Sequence, residues 1–289
     1  VTTGRNPVRG HERVVTMEFS LSRAEVTRFE YRSEAASTND VLKELATADA
    51  AAWPDLSVIV TDNQTQGRGR LGRVWLAPTG KALAISVLVR PQLPPASLGW
   101  FPLLAGAAMT RAVRKTVEAS MQPVKDVKEA ETPRHDTTLK WPNDVLIDGY
   151  KVCGILCELL PDGEGIIIGA GLNLSLDEHD LPTLTSTSLL LVTRTAPDPD
   201  QVLAAYLHEL VTLYDAFVQA NGDAQHDLHA AVTQLCGTLG SVVRVELPGG
   251  TDLVGTATGI DSEGRLQVVS QADGEQWSVA AGDVTHLRY

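Results

Sequence analysis

Apolar residues recur along this chain at two spacings, and the switches between them mark most of its elements. From Ser37-Thr38-Asn39, polar residues able to cap a helix, Val41, Leu42 and Leu45 repeat at helical intervals and predict a helix. Leu56–Thr61 and Ala82–Arg90 are short, nearly continuous apolar runs and read as buried strands, the second ending against Pro91-Gln-Leu-Pro-Pro95. Leu98–Ser120 reads as one long apolar helix, and the charged, proline-containing stretch 121–138 as an exposed loop. Val145–Asp148, Lys151–Leu160 and Gly165–Ala170 read as strands of one sheet, with Asp148-Gly149 as a two-residue hairpin turn. Asp198–Ala220 is an amphipathic helix, and a shorter helix spans Ala224–Leu235.

After Gly240 the texture changes. Val242–Glu246, Leu253–Gly259, Leu266–Val269 and Trp277–Ala280 alternate apolar and polar residues between glycine-rich turns, the pattern of a small antiparallel barrel. The chain therefore divides into an aperiodic and disordered extension over residues 1–16, an α+β body over 17–237 and a barrel over 238–289. Met17 is a candidate start, and no helix-turn-helix pattern fits before residue 30, so no N-terminal DNA-binding domain is expected.

Composition narrows the function classes. A chain of 289 residues, 43% hydrophobic and 21% charged, is an ordinary globular protein. No apolar run approaches the roughly 18 residues of a membrane helix, and no basic segment precedes an apolar one as in a secretory signal. Three cysteines, an odd number, argue against a disulfide scaffold and place the protein in the reducing cytoplasm. Cys153 and Cys157 have no second ligand pair and read as small buried hydrophobes. His226 and His229 lack a third ligand and read as a solvated helix face. A net charge of −12 opposes binding to nucleic acid phosphates. Against that charge, a local cluster of arginines must serve something small and anionic.

Such a cluster is present in Gln64-Thr-Gln-Gly67-Arg68-Gly69-Arg70-Leu71-Gly72-Arg73. The glycines allow close backbone approach, and the guanidinium groups match phosphate or carboxylate oxygens in pairs. The segment is not a Walker loop, because the terminal Lys-Ser/Thr is missing, and its glycine spacing is not that of a dinucleotide fingerprint. It suits a flap closing over a nucleotide triphosphate, with a solvated basic loop or an RGG-like RNA contact as the plainer alternative.

Other motifs stand in order around the loop: Ser37-Thr38-Asn39 before it, then Lys140-Trp-Pro-Asn-Asp144, Lys151-Val-Cys-Gly154-Ile-Leu-Cys-Glu158 and Gly169-Ala-Gly171-Leu-Asn173. Each alone is weak; the ordered set resembles the catalytic domain of the biotin–protein ligases. The likeness covers about residues 30–220, and the predicted barrel matches that family's small C-terminal domain. The resemblance implies a class II aminoacyl-tRNA synthetase-like catalytic domain, a mixed or antiparallel sheet with helices, followed by an SH3-like barrel. It implies that Ser37, Thr38, Asn39 and Gln64 meet the ureido end of biotin, that Arg68, Gly69 and Arg70 close over the ligand, and that Lys151, beside Gly154, meets its carboxyl end. It also implies that Arg70, Arg73, Trp75, Lys140, Asn143, Asp144, Gly169, Gly171 and Asn173 form the nucleotide side, with Arg68 and Lys151 as the catalytic pair. The residues taken singly also admit plainer roles: helix capping for Ser37 and Thr38, a surface anchor for Arg73, and a core position for Trp75.

The implied reaction is that of a ligase forming a carbon–nitrogen bond. Biotin and ATP, with Mg2+, give biotinyl-5′-AMP, and the acyl group passes to a lysine of a biotin carboxyl carrier protein, the acceptor domain of acyl-CoA carboxylases. No metal ligand is assignable, and a homodimer is left open. A lipoate or octanoate ligase or transferase of the same fold, or a biotin-responsive repressor, stands as the alternative.

Overall fold

Alternation along the central strands decides where this protein can hold a ligand. In the computed structural model, residues 18–121, 134–247, 250–280 and 282–287 are described. The aperiodic segment 1–16, the candidate start Met17 and most of the loop read at 121–138 lie outside the described residues.

The elements run α1 (Ser20–Ala24), β1 (Arg28–Tyr31), α2 (Thr38–Ala48), β2 (Ser57–Thr61), β3 (Ala82–Val89), α3 (Phe101–Ser120), β4 (Thr137–Lys140), β5 (Asp144–Ile147), β6 (Tyr150–Leu159), β7 (Ile166–Asn173), α4 (Leu189–Thr193), α5 (Pro199–Gln219) and α6 (Leu228–Leu235). They continue with β8 (Val242–Glu246), β9 (Asp252–Ile260), β10 (Leu266–Ser270), β11 (Gln276–Val279) and β12 (Asp283–His286). Seven strands form one sheet in the order β1-β2-β3-β7-β6-β5-β4. Only β1 and β2 run parallel, so the sheet is mixed. The remaining five form an antiparallel sheet in the order β11-β10-β9-β8-β12.

Helix α3 lies across one face of the large sheet, against β4, β5, β6 and β7, with α5 packed on it. Leu83, Ile85, Val87 and Val89 of β3, Ile166, Ile168, Ala170 and Leu172 of β7, and Cys153 and Ile155 of β6 point into that core. The intervening residues face the other way. Part of this second face is covered by α2, whose Leu42 and Ala46 pack on Ile59, Leu88 and Ile167. The rest carries small residues in register: Ser86 opposite Gly169, Ala84 opposite Gly171, and Gly171 opposite Gly154. A row of such small residues leaves a hollow in the sheet surface, and a site can form there.

The C-terminal sheet is locked to the body by its β9–β10 turn. Trp100 Nε1 donates to the carbonyl of Ser262 at 2.8 Å and Trp141 Nε1 to that of Gly264 at 3.1 Å. A Cβ on Gly99 would strike the carbonyl of Glu263, so a glycine is needed for this close approach. The Trp141 amide also donates to Thr238 Oγ1 at 3.0 Å.

Several expectations need correction. The exposed loop read at 121–138 gives way to β4, whose first two residues fall within it, because Thr137 and Leu139 turn inward under α3. The helix read from Leu98 begins at Phe101; Pro95–Trp100 is a 3-10 turn that swings Trp100 onto the C-terminal sheet. The shorter C-terminal helix of the body starts at Leu228 rather than Ala224. His229 is not on a solvated face: its Nε2 lies 3.0 Å from the Ile260 carbonyl and its ring meets Trp100 edge-on. The Asp148-Gly149 turn is as read, with both residues at positive φ, as a two-residue hairpin of type I′ requires.

Candidate active site

The hollow on the second face opens into a cavity of about 370 Å³. All the residues singled out by the motifs line it: Ser37, Thr38, Asn39, Gln64, Arg68, Gly69, Arg70, Arg73, Trp75, Lys140, Asn143, Asp144, Lys151, Gly154, Gly169, Gly171 and Asn173.

One end carries uncharged side chains in a tight hydrogen-bond network that ends on the Glu158 carboxylate. Ser37 caps α2 and accepts from the Asp40 amide. Gln64 Oε1 accepts from the Thr38 amide at 2.8 Å, and Ser86 Oγ donates to Asn39 Oδ1 at 2.6 Å. Asn39 Nδ2 donates to Glu158 Oε2 at 2.8 Å. Gly169 lies beneath Asn39: a Cβ there would fall 2.5 Å from Asn39 Oδ1. Helix capping and site lining therefore coincide at Ser37, whereas the Thr38 hydroxyl bonds Gln64 and Ser86 and caps nothing.

The other end is cationic. The β5–β6 register shifts between Val145 and Leu146, leaving Val152 without a partner. This bulge lets Lys151 and Gly154 present to the same face. The Lys151 ammonium lies over Gly154, where a Cβ would stand 2.9 Å from Nζ, and pairs with Asp144 Oδ1 at 2.5 Å. Lys140 ends β4 and Asn143 lies in the β4–β5 connection, and Asn173 Nδ2 donates to the Thr187 carbonyl at 2.9 Å. Trp75 is half-buried and packs its indole on Gly171, where a Cβ would fall 2.5 Å from the ring, so it is not a core residue.

The segment Gly67–Trp75 forms the roof as a small hairpin, closed by Gly69 N–H to the Arg73 carbonyl at 2.7 Å and Trp75 N–H to the Gly67 carbonyl at 2.9 Å. Its apolar tip residues Leu71 and Val74 are exposed. Each roof arginine already has a partner. Arg68 pairs with Asp40 and, at 3.4 Å, with Glu158. Arg70 donates to Asn143 Oδ1 at 2.9 Å and to the Gly282 carbonyl at 3.2 Å. Arg73 pairs with Asp283, which realises its plainer role as an anchor.

The motifs passed over Asp40, Ser86 and Asp283. Glu158 stood at the end of a quoted motif without a role. Asp40 and Glu158 sat within reach of the quoted patterns and could have been flagged as the anions that neutralise Arg68. Ser86 lies in an apolar run, and Asp283 is 210 residues from its partner; neither has a local signal.

Burial pushes the Glu158 carboxyl up, but hydrogen bonds from Asn39 and Lys43 and the charges of Lys43 and Arg68 outweigh it and leave it below the usual carboxylate range. Its contribution to stability is therefore full above the unfolded-state value of about 4.3 and is lost as pH falls through the lower folded value. The difference in urea midpoint between the wild type and Glu158→Gln is expected to shrink steadily below about pH 4.3; a constant difference down to pH 3 would contradict the assignment. Among the described residues no group of three or more His, Cys, Asp and Glu side chains is placed to hold a metal ion. Cys153 lies against the site but is buried, which raises its thiol to about 12. No described helix is long and apolar enough to cross a membrane.

A sheet hollow lined by hydrogen-bonding side chains and cations under an arginine roof is suited to a small acid beside a polyphosphate. Comparison with known proteins agrees. The profile of the biotin/lipoate A/B protein ligase family matches residues 33–173, and that of the biotin protein ligase C-terminal domain matches residues 238–287. The chain belongs to the biotin protein ligase family. It is 37% identical over 257 residues to the biotin–[acetyl-CoA-carboxylase] ligase of Mycobacterium tuberculosis, covering 89% of this chain and 88% of that one. The biotin protein ligase of Aquifex aeolicus in complex with biotin and ATP superimposes with a TM-score of 0.71 at 25% identity, covering 90% of this chain and all of that one. The Leishmania major ligase in complex with biotinyl-5-AMP gives 0.55 at 26% identity, over 88% of this chain and 99% of that one.

Proposed function

We propose that this protein is an ATP-dependent biotin–protein ligase. The biotin carboxylate attacks the α-phosphorus of ATP, giving biotinyl-5′-AMP and pyrophosphate. A lysine amine of a biotin carboxyl carrier protein then attacks the mixed anhydride, giving the amide and AMP. The observation that carries this reading is the polarity of one cavity, with neutral donors and acceptors at Ser37, Thr38, Asn39 and Gln64 and cations at Arg68, Arg70, Lys140 and Lys151. A ureido group needs the first set and two anions brought together need the second.

In this reading Lys151 meets the carboxylate and the α-phosphate, and Arg68 and Arg70 exchange their present partners for ligand oxygens. Arg73, Lys140, Asn143 and Asp144 serve the phosphates, while Trp75, Gly169, Gly171 and Asn173 shape the space beside the nucleotide. The roof then excludes water from the adenylate. Magnesium would arrive on the triphosphate, offsetting phosphate charge; with Asp144 and Asp283 the carboxylates lining the cavity, and both engaged by cations, a mostly phosphate- and water-bound ion fits the site. A lipoate ligase would use the same cationic end, so the acid is the variable to test. Pyrophosphate release with ATP is expected with biotin and not with lipoate or octanoate; turnover with lipoate alone would reassign the substrate.

A further inference from the structure

Glu158, Asn39, Ser86 and Thr38 form one hydrogen-bonded line that ends at the wall of the cavity. Their few protons fix the direction of every bond in it. A carboxylate only accepts, so Asn39 must turn its amide nitrogen to Glu158 Oε2, at 2.8 Å. The Leu156 carbonyl, 3.3 Å from the same nitrogen, asks for the same orientation. Asn39 Oδ1 then faces Ser86 Oγ at 2.6 Å and can only accept, so it takes the one proton that Ser86 has. Ser86 Oγ lies 2.8 Å from Thr38 Oγ1 with no proton left to give, so the proton between them belongs to Thr38. Thr38 has thus spent its proton inward and turns a lone pair to the cavity. Gln64 Oε1 beside it accepts from the Thr38 amide and is an acceptor too.

The geometry points to Glu158 and Ser86 as positioning residues that set the polarity of this line, so that Thr38 meets a ligand as an acceptor. Neither lines the cavity, so both act through Asn39 and Thr38, which do. On the ligase reading proposed above, on which this role depends, a ureido group brings N–H donors to that wall. A dithiolane or an alkyl chain brings none and would leave the acceptors unpaired, so the line selects against lipoate and octanoate. The surroundings hold the line in place. Ser86 is fully buried in β3, and Gly169 opposite it leaves the room that Asn39 fills. Lys43 donates to Glu158 Oε1 at 3.1 Å, and Arg68 stands 3.4 and 3.5 Å from the two oxygens. Asp40 shares both cations without displacing them from Glu158. These charges keep the Glu158 carboxyl ionised and therefore acceptor-only.

Titration calorimetry of biotin into the full chain tests this role. In Glu158→Gln the amide oxygen stays with Lys43 and Arg68, so an NH2 group faces Asn39 and the line loses the acceptor that directs it. Biotin affinity is expected to fall about 10- to 100-fold, as when a buried donor is set against a donor. Ser86→Ala cuts the line instead. Thr38 can then turn its proton to Gln64 Oε1, 3.2 Å away, so the loss should stay within about fivefold. The wrong polarity can no longer reach Thr38 in Glu158→Gln/Ser86→Ala, which should bind biotin within about twofold of Ser86→Ala and more tightly than Glu158→Gln. A role for Glu158 confined to folding or to Arg68 would give losses that multiply. Thr38→Val, which removes the last hydroxyl, should silence Glu158→Gln in the same way, and it keeps the test open if Ser86→Ala folds poorly. A loss under about threefold for Glu158→Gln, or losses that multiply in both pairs, would overturn the proposal while leaving biotin as the ligand. A wild type that binds no biotin would remove the ligase reading and the proposal together.

Discussion

Replacing Lys151 with alanine is expected to lower kcat/KM for acyl-adenylate formation by about 10²–10³-fold, the loss seen when one preorganised donor to a developing charge is removed. Two effects act in the same direction. The ammonium that would face the carboxylate and α-phosphate disappears, and Asp144, its partner at 2.5 Å, is left with an uncompensated charge beside two incoming anions. The second effect can be separated from the first. In Lys151→Ala/Asp144→Asn the stranded carboxylate is gone, so the double variant should be less impaired than the product of the two single losses. Steady-state pyrophosphate release across the four proteins measures this. Turnover of Lys151→Ala within threefold of the wild type would remove the lysine from the reaction.

The largest effect on stability is expected at Trp100. It is fully buried, donates to the Ser262 carbonyl at 2.8 Å and meets His229 edge-on at 5.8 Å, so one side chain joins the start of α3, α6 and the β9–β10 turn. Trp100→Ala should destabilise the protein by about 3–5 kcal/mol, as large-to-small changes of buried aromatics do. Trp100→Phe keeps most of the packing and forfeits the hydrogen bond to the exposed Ser262, for a smaller loss of about 0.5–1.5 kcal/mol, the net worth of a typical hydrogen bond. Urea unfolding followed by far-ultraviolet circular dichroism gives both numbers. A loss under 1 kcal/mol for the alanine variant would mean that the C-terminal sheet is held mainly elsewhere.

What the sequence made legible follows from how strongly each element is patterned. Buried strands β2, β3, β6 and β7 and helices α2, α3 and α5 carry long apolar signals, and their positions were read to within a few residues. The five-stranded C-terminal sheet was read with four strands, because β12 is four residues long with a single buried position. Strand β1 escaped for a related reason: Arg28–Tyr31 is partly buried on both faces, so no alternation marks it. Strand β4 was hidden beside a charged stretch, its inward face marked only by Thr137 and Leu139. Within the site, the residues carried by compact motifs came together in one cavity. Those without a nearby motif, Ser86 and Asp283, become visible only once the sheet register and the docking of the second sheet are known.

The cavity joins a floor and a roof of opposite character. The floor is backbone of β3, β6 and β7, paired on both sides and backed by α3, with glycines where side chains would intrude. The roof is a nine-residue hairpin with an exposed tip. Shape discrimination therefore falls to the doubly paired floor, and retention to the roof. Substitutions below should alter which acid is admitted, while substitutions above should alter how long its activated form is kept from water.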